Sequence, residues 1–388
     1  MINIDRLCTG CAACYNACPK NCITMQEDNE GFIYPVVDNN HCMSCNLCNT
    51  ICPILNNLSA KKLNAANVFA CKNKNPLVRK HSSSGGVFSL LADYVLDNNG
   101  VVFGAMFDNE LNVAHSFITH KEDLDKLRRS KYVQSSIGAS YQEVKRFLES
   151  GKMVLFSGTP CQVAGLKSYL KKDYDTLIVV EVVCHGVPSP KVYRKYKSYL
   201  QAKYKSTIKE INFRTKNRGW DNYGTRIEFE NNKVYQCINT IEPLYMRGFL
   251  TNIYLRPSCY NCRFKHENTV ADFTLGDYWR IERKYPKFHN KDGVSLVIIN
   301  SVLGEKIFNE ISGEMDCLQT DINHAKECNH MLISSSVIGD IKKRSEYLND
   351  LDNMQYDQLA NKYCMISFGN YWATKLGFKP VIRKLLKR

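Results

Sequence analysis

One repeat limits what this chain can fold into. Cys8, Cys11, Cys14 and Cys18 follow the spacing C-x2-C-x2-C-x3-C-P, ending in Pro19, and Cys42, Cys45, Cys48 and Cys52 repeat it, ending in Pro53. Every cysteine of the first copy recurs 34 residues later. A helical solenoid needs several copies of its unit to bury a core, so two copies favour a pseudo-symmetric metal module. Three thiolates on one tight loop can grip three corners of an iron–sulfur cube, while the fourth, followed by proline, points to the cube held by the other copy. On that logic Cys8, Cys11, Cys14 and Cys52 hold one [4Fe-4S] cluster, and Cys42, Cys45, Cys48 and Cys18 hold a second. Zinc is a poorer match, because its sites usually combine two paired knuckles. Cys22 lies outside the pattern and is read as packing.

The remaining cysteines gain meaning from compartment. No charged segment followed by an apolar stretch opens the sequence, and no run of eighteen apolar residues occurs, so a cytoplasmic protein is expected. In a reducing compartment, 18 cysteines point to metal or redox chemistry before disulfides. The formal charge of +14 is open to nucleic acid, an acidic membrane surface or an anionic cofactor. Each oxidised cube with four thiolates carries about −2, so the clusters offset part of that charge and nucleic acid is not needed to explain it.

The first 57 residues read as the two-cluster domain, and the small and polar residues of 58–67 as a linker. Beyond it, apolar strands such as MVLFSG and LIVVEVV are interleaved with helices such as TPCQVAGLKSYLKK, which Thr159 caps and Pro160 opens. Strands without alternation are buried on both faces, which predicts a mostly parallel sheet covered by helices. The fold class is therefore α/β: an α+β ferredoxin-like module followed by an α/β domain. That domain is read as two regions, 68–150 and 151–310, followed by a helical tail over 311–388.

Cys161 and Cys184 follow the strands MVLFSG and LIVVEVV, at the carboxyl ends where parallel sheets bind ligands. Cys259 and Cys262 form a C-x2-C pair that needs two further ligands, and Cys161 with Cys184 are the best placed. A third [4Fe-4S] cluster on these four is favoured; a zinc knuckle or a redox-active disulfide is the alternative. The loop His81 to Gly86, HSSSGG, precedes a helix and suits an anion such as pyrophosphate, with Arg79, Lys80, Arg128, Arg129 and Lys131 nearby in sequence. Its plain alternative is a capped loop. Arg214, Lys216, Arg218 and Trp220 are read as a group able to hold a planar anion, or as a solvated strand edge.

The segments HSSSGGVF, SKYVQS, FSGTPCQVAGL, VEVVCHGVPSP, FRTKNRGW, RPSCYNCRF and ADFTLGDYW together resemble the beta subunit of coenzyme F420 hydrogenase/dehydrogenase over about residues 67–305. The segment before it resembles bacterial two-cluster ferredoxins. The resemblance implies an iron–sulfur flavoprotein oxidoreductase with bound FAD. It implies that Ser83, Ser84, Gly85 and Gly86 cradle the flavin phosphates, and that Lys131, Tyr132, Gln134, Gly158 and Thr159 contribute to the pocket. The implied partner is a ferredoxin or another oxidoreductase subunit. The substrate stays open between a deazaflavin such as F420 and a glycan-pathway metabolite, and an electron-relay subunit without its own substrate chemistry is the alternative function.

His185, beside Cys184, and Asp277, in LGDYW, are the candidate catalytic proton donors. Their plain alternatives are a hydrogen-bonding turn residue and a loop cap. The basic ending YWATKLGFKPVIRKLLKR is read as a contact with an acidic membrane surface or partner protein, or as a solvated helix. Nothing in the sequence resembles a base-reading module.

Overall fold

The computed structural model describes residues 5–56, 61–62, 67–239, 243–265, 268–338 and 340–365. Most of the linker expected at 58–67 and the whole basic ending at 371–388 lie outside the described residues. Two compact units are present, Met1–Pro190 with Arg256–Ser336, and Lys191–Leu255 with Val337–Arg388.

The first unit begins with the cysteine repeat. Helix α1 (Ala13–Ala17) and helix α2 (Leu47–Thr50) start 34 residues apart, and the hairpin strands β1 (Ile23–Glu27) and β2 (Ile33–Val37) pair antiparallel between them. The residue before each helix is left-handed, Ala12 at φ 58° and Asn46 at φ 59°. Two residues earlier Gly10 and Ser44 are left-handed as well, at φ 69° and 53°. The sequence repeat is thus a repeat of backbone conformation, turning each C-x2-C-x2-C stretch back on itself.

The main sheet of this unit has eight strands. In chain order these are β3 (Val68–Asn73), β4 (Val101–Phe107), β5 (Val113–Ile118), β6 (Val154–Gly158), β7 (Leu177–Val182), β8 (Phe273–Asp277), β9 (Ser295–Ile299) and β10 (Met315–Gln319). Their order across the sheet is β10-β3-β9-β8-β7-β6-β4-β5. The pairs β4–β6, β6–β7 and β7–β8 are parallel, and every other pair is antiparallel. The fold is α/β as expected, with the parallel arrangement confined to the four central strands. The flank at β5 is antiparallel because a short turn joins it to β4, held by Asp108, whose carboxylate accepts from the amides of Glu110 and Asn112. The other flank gathers strands from residues 68–73, 295–299 and 315–319, the last of them within the stretch read as a helical tail.

Both faces of the central strands are covered, which explains their lack of alternation. On one face Leu155, Ile178 and Val180 pack with Leu91 and Val95 of helix α3 (Val87–Asp97). On the other, Val154, Phe156 and Val179 pack with Tyr141 and Val144 of helix α4 (Ser140–Glu149) and Val163 and Leu166 of helix α5 (Pro160–Leu170). Ala12, Ala13 and Cys11 join this second layer, so the first cysteine loop is part of the sheet's own core. Each fully buried aliphatic side chain here contributes about 1.5–3 kcal/mol.

The second unit contains a three-stranded antiparallel sheet, Val234–Cys237, Gly224–Phe229 and Ile208–Thr215. It has a tyrosine-rich core, in which Tyr196 stacks on Tyr245 at 5.0 Å and Tyr254 lies 5.7 Å from Tyr245. Trp220 is fully buried, and Arg214, also buried, lies 4.1 Å over the Tyr223 ring. These two members of the basic group expected to hold a planar anion are packed inside instead of facing solvent. No helix among the described residues is long and apolar enough to cross a membrane.

Candidate metal centres

The left-handed turns bring the thiols of each set around a cavity. Cys8, Cys11, Cys14 and Cys52 line one small pocket, together with Met25, Pro35 and other apolar side chains. All four of these cysteines are buried. Burial pushes the Cys14 thiol up to about 12 and raises Cys11 and Cys52, with repulsion from neighbouring thiols adding to it. Thiols so placed hold their ionised form when a cationic metal centre compensates them.

The second set, Cys18, Cys42, Cys45 and Cys48, lines another pocket. Cys45 is exposed and the other three are half-buried. Cys22 lines the same cavity, its Sγ 3.3 Å from that of Cys18, so the residue read as packing is a fifth thiol at this site. Among the described residues no three His, Cys, Asp or Glu side chains converge on a point that would hold one metal ion. Ringed cavities of this kind fit a multi-iron cluster better than a single ion.

The C-x2-C pair meets the two strand-end cysteines. Cys161 lies in the first turn of α5, Cys184 follows β7, and Cys259 sits in the short turn Pro257–Asn261 that Cys262 follows. Burial raises all four thiols, pushing Cys161 up to about 12, and they are close enough to repel one another when charged. The Thr159 hydroxyl lies 3.2 Å from the Cys161 sulfur, and the Val187 amide donates to Cys259 Sγ at 3.5 Å. A cavity of about 310 Å³ adjoins Cys184, lined also by Pro160, Glu181, Phe264, Lys265 and Met331. Burial pushes the Glu181 carboxyl up to about 7 against the Thr274 hydroxyl, which donates to it at 2.7 Å.

The three groups adjoin one after another. Cys14 of the first feels Cys48 of the second, and Cys11 feels Cys161 of the third. The close approach is made at Gly165 of α5, where a Cβ would stand 2.9 Å from Cys11 Cβ and 2.8 Å from the Tyr141 hydroxyl.

The residues implied for a flavin divide between two places. Ser83 Oγ lies 3.0 Å from Ser130 Oγ, the Arg129 Nε donates to His81 O, and Gly86, at φ 90°, opens α3. Loop 81–86 and residues 128–131 are therefore neighbours at the N-terminus of α3, where Asp125 pairs with His81, Arg128 and Arg129. Here the Ser84 hydroxyl donates to Val294 O, the Gly85 amide to Ser295 Oγ, and Lys131 Nζ to the carbonyls of Lys126, Arg128 and Arg129. Tyr132 follows directly in the chain. Gln134 and Thr159 stand elsewhere: Gln134 Nε2 donates to Thr9 O, and Thr159, next to Gly158, caps α5 beside Cys161. His185 is half-buried beside the third thiol group, and its carbonyl accepts from the Ser336 hydroxyl. Asp277 pairs in register with Ser295 at the end of β8 and the start of β9, where the Gly85 amide donates to Ser295 Oγ.

Sequence reasoning passed over Arg256. Its guanidinium is wholly buried and donates to Cys8 O at 2.7 Å, Gln134 Oε1 at 3.0 Å and Ile33 O at 2.9 Å, while its own amide donates to Val187 O. It also lies 4.4 Å over the Tyr34 ring. One side chain thus ties the first cysteine loop and β2 to the turn carrying Cys259. The signal available in the sequence was only its place before a proline and a C-x2-C pair.

A family model for the C-terminal part of the beta subunit of coenzyme F420 hydrogenase/dehydrogenase matches residues 151–323, and a model for the 4Fe-4S dicluster domain matches residues 7–55. Among curated proteins, an F(420)H(2) dehydrogenase subunit of Methanosarcina mazei is 21% identical over 337 residues, covering 81% of this chain and 84% of that one. Among solved structures, a chain of the F420-reducing [NiFe] hydrogenase complex from Methanosarcina barkeri is similar at 18% identity and a TM-score of 0.46, over 70% of this chain and 90% of that chain.

Proposed function

We propose, for a chain that belongs to the beta subunits of the coenzyme F420 hydrogenase/dehydrogenase family and carries a 4Fe-4S dicluster domain ahead of that region, an oxidoreductase that relays electrons through three [4Fe-4S] clusters to FAD and a hydride-accepting or hydride-donating substrate. The observation that carries this reading is that the first cysteine loop packs on the helix carrying Cys161, with Cys11 meeting α5 at Gly165. Bound there, clusters supply one-electron transfer, and a flavin supplies the exchange between single electrons and hydride.

The protein's own part is to hold and shield. Cys8, Cys11, Cys14 and Cys52 bind the inner cluster, Cys18, Cys42, Cys45 and Cys48 the outer, and Cys161, Cys184, Cys259 and Cys262 the third. Arg256 orients the first loop, and the packing of α5 keeps water from the inner site. Ser83, Ser84, Gly85 and Gly86 cradle the flavin phosphates, Lys131, Tyr132, Gln134, Gly158 and Thr159 contribute to the flavin pocket, and His185 and Asp277 are the proton donors. The substrate is a deazaflavin of the F420 type or a glycan-pathway metabolite. A ferredoxin or another oxidoreductase subunit is the redox partner, in keeping with the relative named as part of a dehydrogenase.

A second reading, a relay subunit without substrate chemistry, is favoured by the commitment of the Ser84 hydroxyl and Lys131 ammonium to protein carbonyls. Anaerobic purification followed by iron, sulfide and flavin assays is the first test. About twelve irons with one FAD supports either reading and leaves the choice to the turnover assay, and full iron without flavin leaves only the relay. Cys259→Ser should lower the iron content by about four while the dicluster signal persists; an unchanged content refutes the third ligand set. Turnover of reduced F420 with an artificial acceptor then tests the substrate.

A further inference from the structure

Cys71 and Cys317 belong to none of the three thiol groups, yet they face each other across the edge of the main sheet. Strands β3 and β10 are antiparallel, with Cys71 directly opposite Cys317. The Thr320 amide donates to Val68 O and the Lys74 amide to Glu314 O, which makes 68/320 and 74/314 hydrogen-bonded pairs. Alternation along the ladder then makes 71/317 a non-hydrogen-bonded pair, where opposite Cα atoms stand about 4.5 Å apart and side chains come closest. That spacing lies inside the range of about 4.4–6.8 Å that a disulfide spans. The two sulfurs are already 3.5 Å apart, with the Cys71 thiol donating to Cys317. Their surroundings differ: Cys71 is fully buried against the core, whereas Cys317 is exposed on the edge strand.

We propose that Cys71 and Cys317 form a thiol–disulfide exchange site, with small-molecule disulfides as its oxidant class. Cys317, open to solvent, meets the oxidant first. Its thiolate attacks one sulfur of a disulfide such as oxidised glutathione, forming a mixed disulfide and releasing one glutathione thiolate. Cys71 then attacks the Cys317 sulfur, the protein disulfide forms and the second glutathione leaves. Two protein thiols are oxidised, one glutathione disulfide is reduced to two thiols, and the two protons released by the protein pass to them. The hydrogen bond from Cys71 holds Cys317 below the ordinary thiol range, with Lys74 adding to the effect, in keeping with its role as the attacking sulfur.

The site adjoins the loop read as the anion cradle. A Cβ on Gly85 would stand 2.3 Å from Cys71 O, and the Asn73 amide donates to Gly85 O. Closure of the bridge therefore acts on the strand segment to which that loop is fastened.

The test is to treat the anaerobically purified holoprotein with oxidised glutathione, block remaining thiols and map peptides without reduction. The expected result is a linked pair of peptides containing Cys71 and Cys317, no retained glutathione, loss of two alkylatable thiols, and reversal by dithiothreitol with unchanged cluster absorbance. Cys71→Ser should instead keep one glutathione on Cys317. Cys317→Ser, a change at an exposed position, should leave Cys71 unreacted and keeps the test decisive if the buried variant does not fold. Wild-type protein that retains glutathione on Cys317 without a linked peptide, or in which both thiols stay unreacted, overturns the proposal.

Discussion

The two copies of the cysteine repeat share spacing, turn conformation and helix start, and they differ in what surrounds them. Around Cys8, Cys11, Cys14 and Cys52 the chain has built a core: α5 approaches at Gly165, and Arg256 reaches in to Cys8 O. Around Cys18, Cys42, Cys45 and Cys48 the thiols are less covered, and Cys45 is exposed. The repeat also breaks at one chemical position. Residue 22 is a cysteine beside Cys18, whereas residue 56 is an asparagine whose side chain donates to Asn49 O and Cys52 O. Ligand spacing decides what a loop can hold, and packing decides how exposed and how replaceable each held group is.

The largest expected effect falls on the buried copy. Arg256→Ala removes three donors from buried acceptors and should cost about 3–5 kcal/mol, measured by anaerobic urea unfolding, with the inner iron lost before the outer. Equal loss from both sites would break the distinction. Acid should act on the core of the main sheet, at His115. His115 Nε2 donates to Ser157 O at 3.0 Å and Nδ1 accepts from the Ser135 hydroxyl at 2.9 Å, and burial holds its pKa down at about 4. The unfolded chain takes up this proton near pH 6.5 and the folded chain only near 4. The stability this residue contributes is therefore complete above about 6.5 and falls by about 3 kcal/mol as pH drops through that window. Comparison of wild-type and His115→Gln unfolding at pH 7.5 and 5 should show the dependence reduced in the variant.

Gly165→Ala should cost about 1–3 kcal/mol by crowding Cys11, and should lower the inner iron content while leaving the outer signal intact. The smallest effect on packing belongs to the open copy: in the apoprotein Cys45→Ser should change stability by less than about 0.5 kcal/mol, and in the holoprotein it should remove the outer cluster's iron. In the unaltered protein, a chelator should strip the outer site first; simultaneous loss would show that exposure does not separate the two.

Much of this site was legible in the sequence because its chemistry depends on short spacings. The duplicated motif, the C-x2-C pair and the strand ends at Cys161 and Cys184 are all local patterns, and the structure brings each set together. The interleaved strands and helices were legible for the same reason, since burial on both faces removes alternation from β6 and β7. What escaped were relations across long stretches of chain. The antiparallel flank depends on β3, β9 and β10 finding one another, and nothing local announces such pairing. Arg256 looked like one more basic residue in a cation-rich chain, although its partners lie at residues 8, 33 and 134. Cys22 escaped for a different reason: it is local, four residues from Cys18, but outside the motif.

The four thiols around Cys161 and Cys259 also set a schedule for synthesis. Cys161 leaves the ribosome about 100 residues before Cys262, which at 5–20 residues per second is a wait of roughly 5–20 s. Throughout that interval the first two thiols have no partners. A metal centre proposed on these four thiols would be inserted late, after the dicluster segment has already emerged, and any oxidant or stray metal has its best opportunity in that interval.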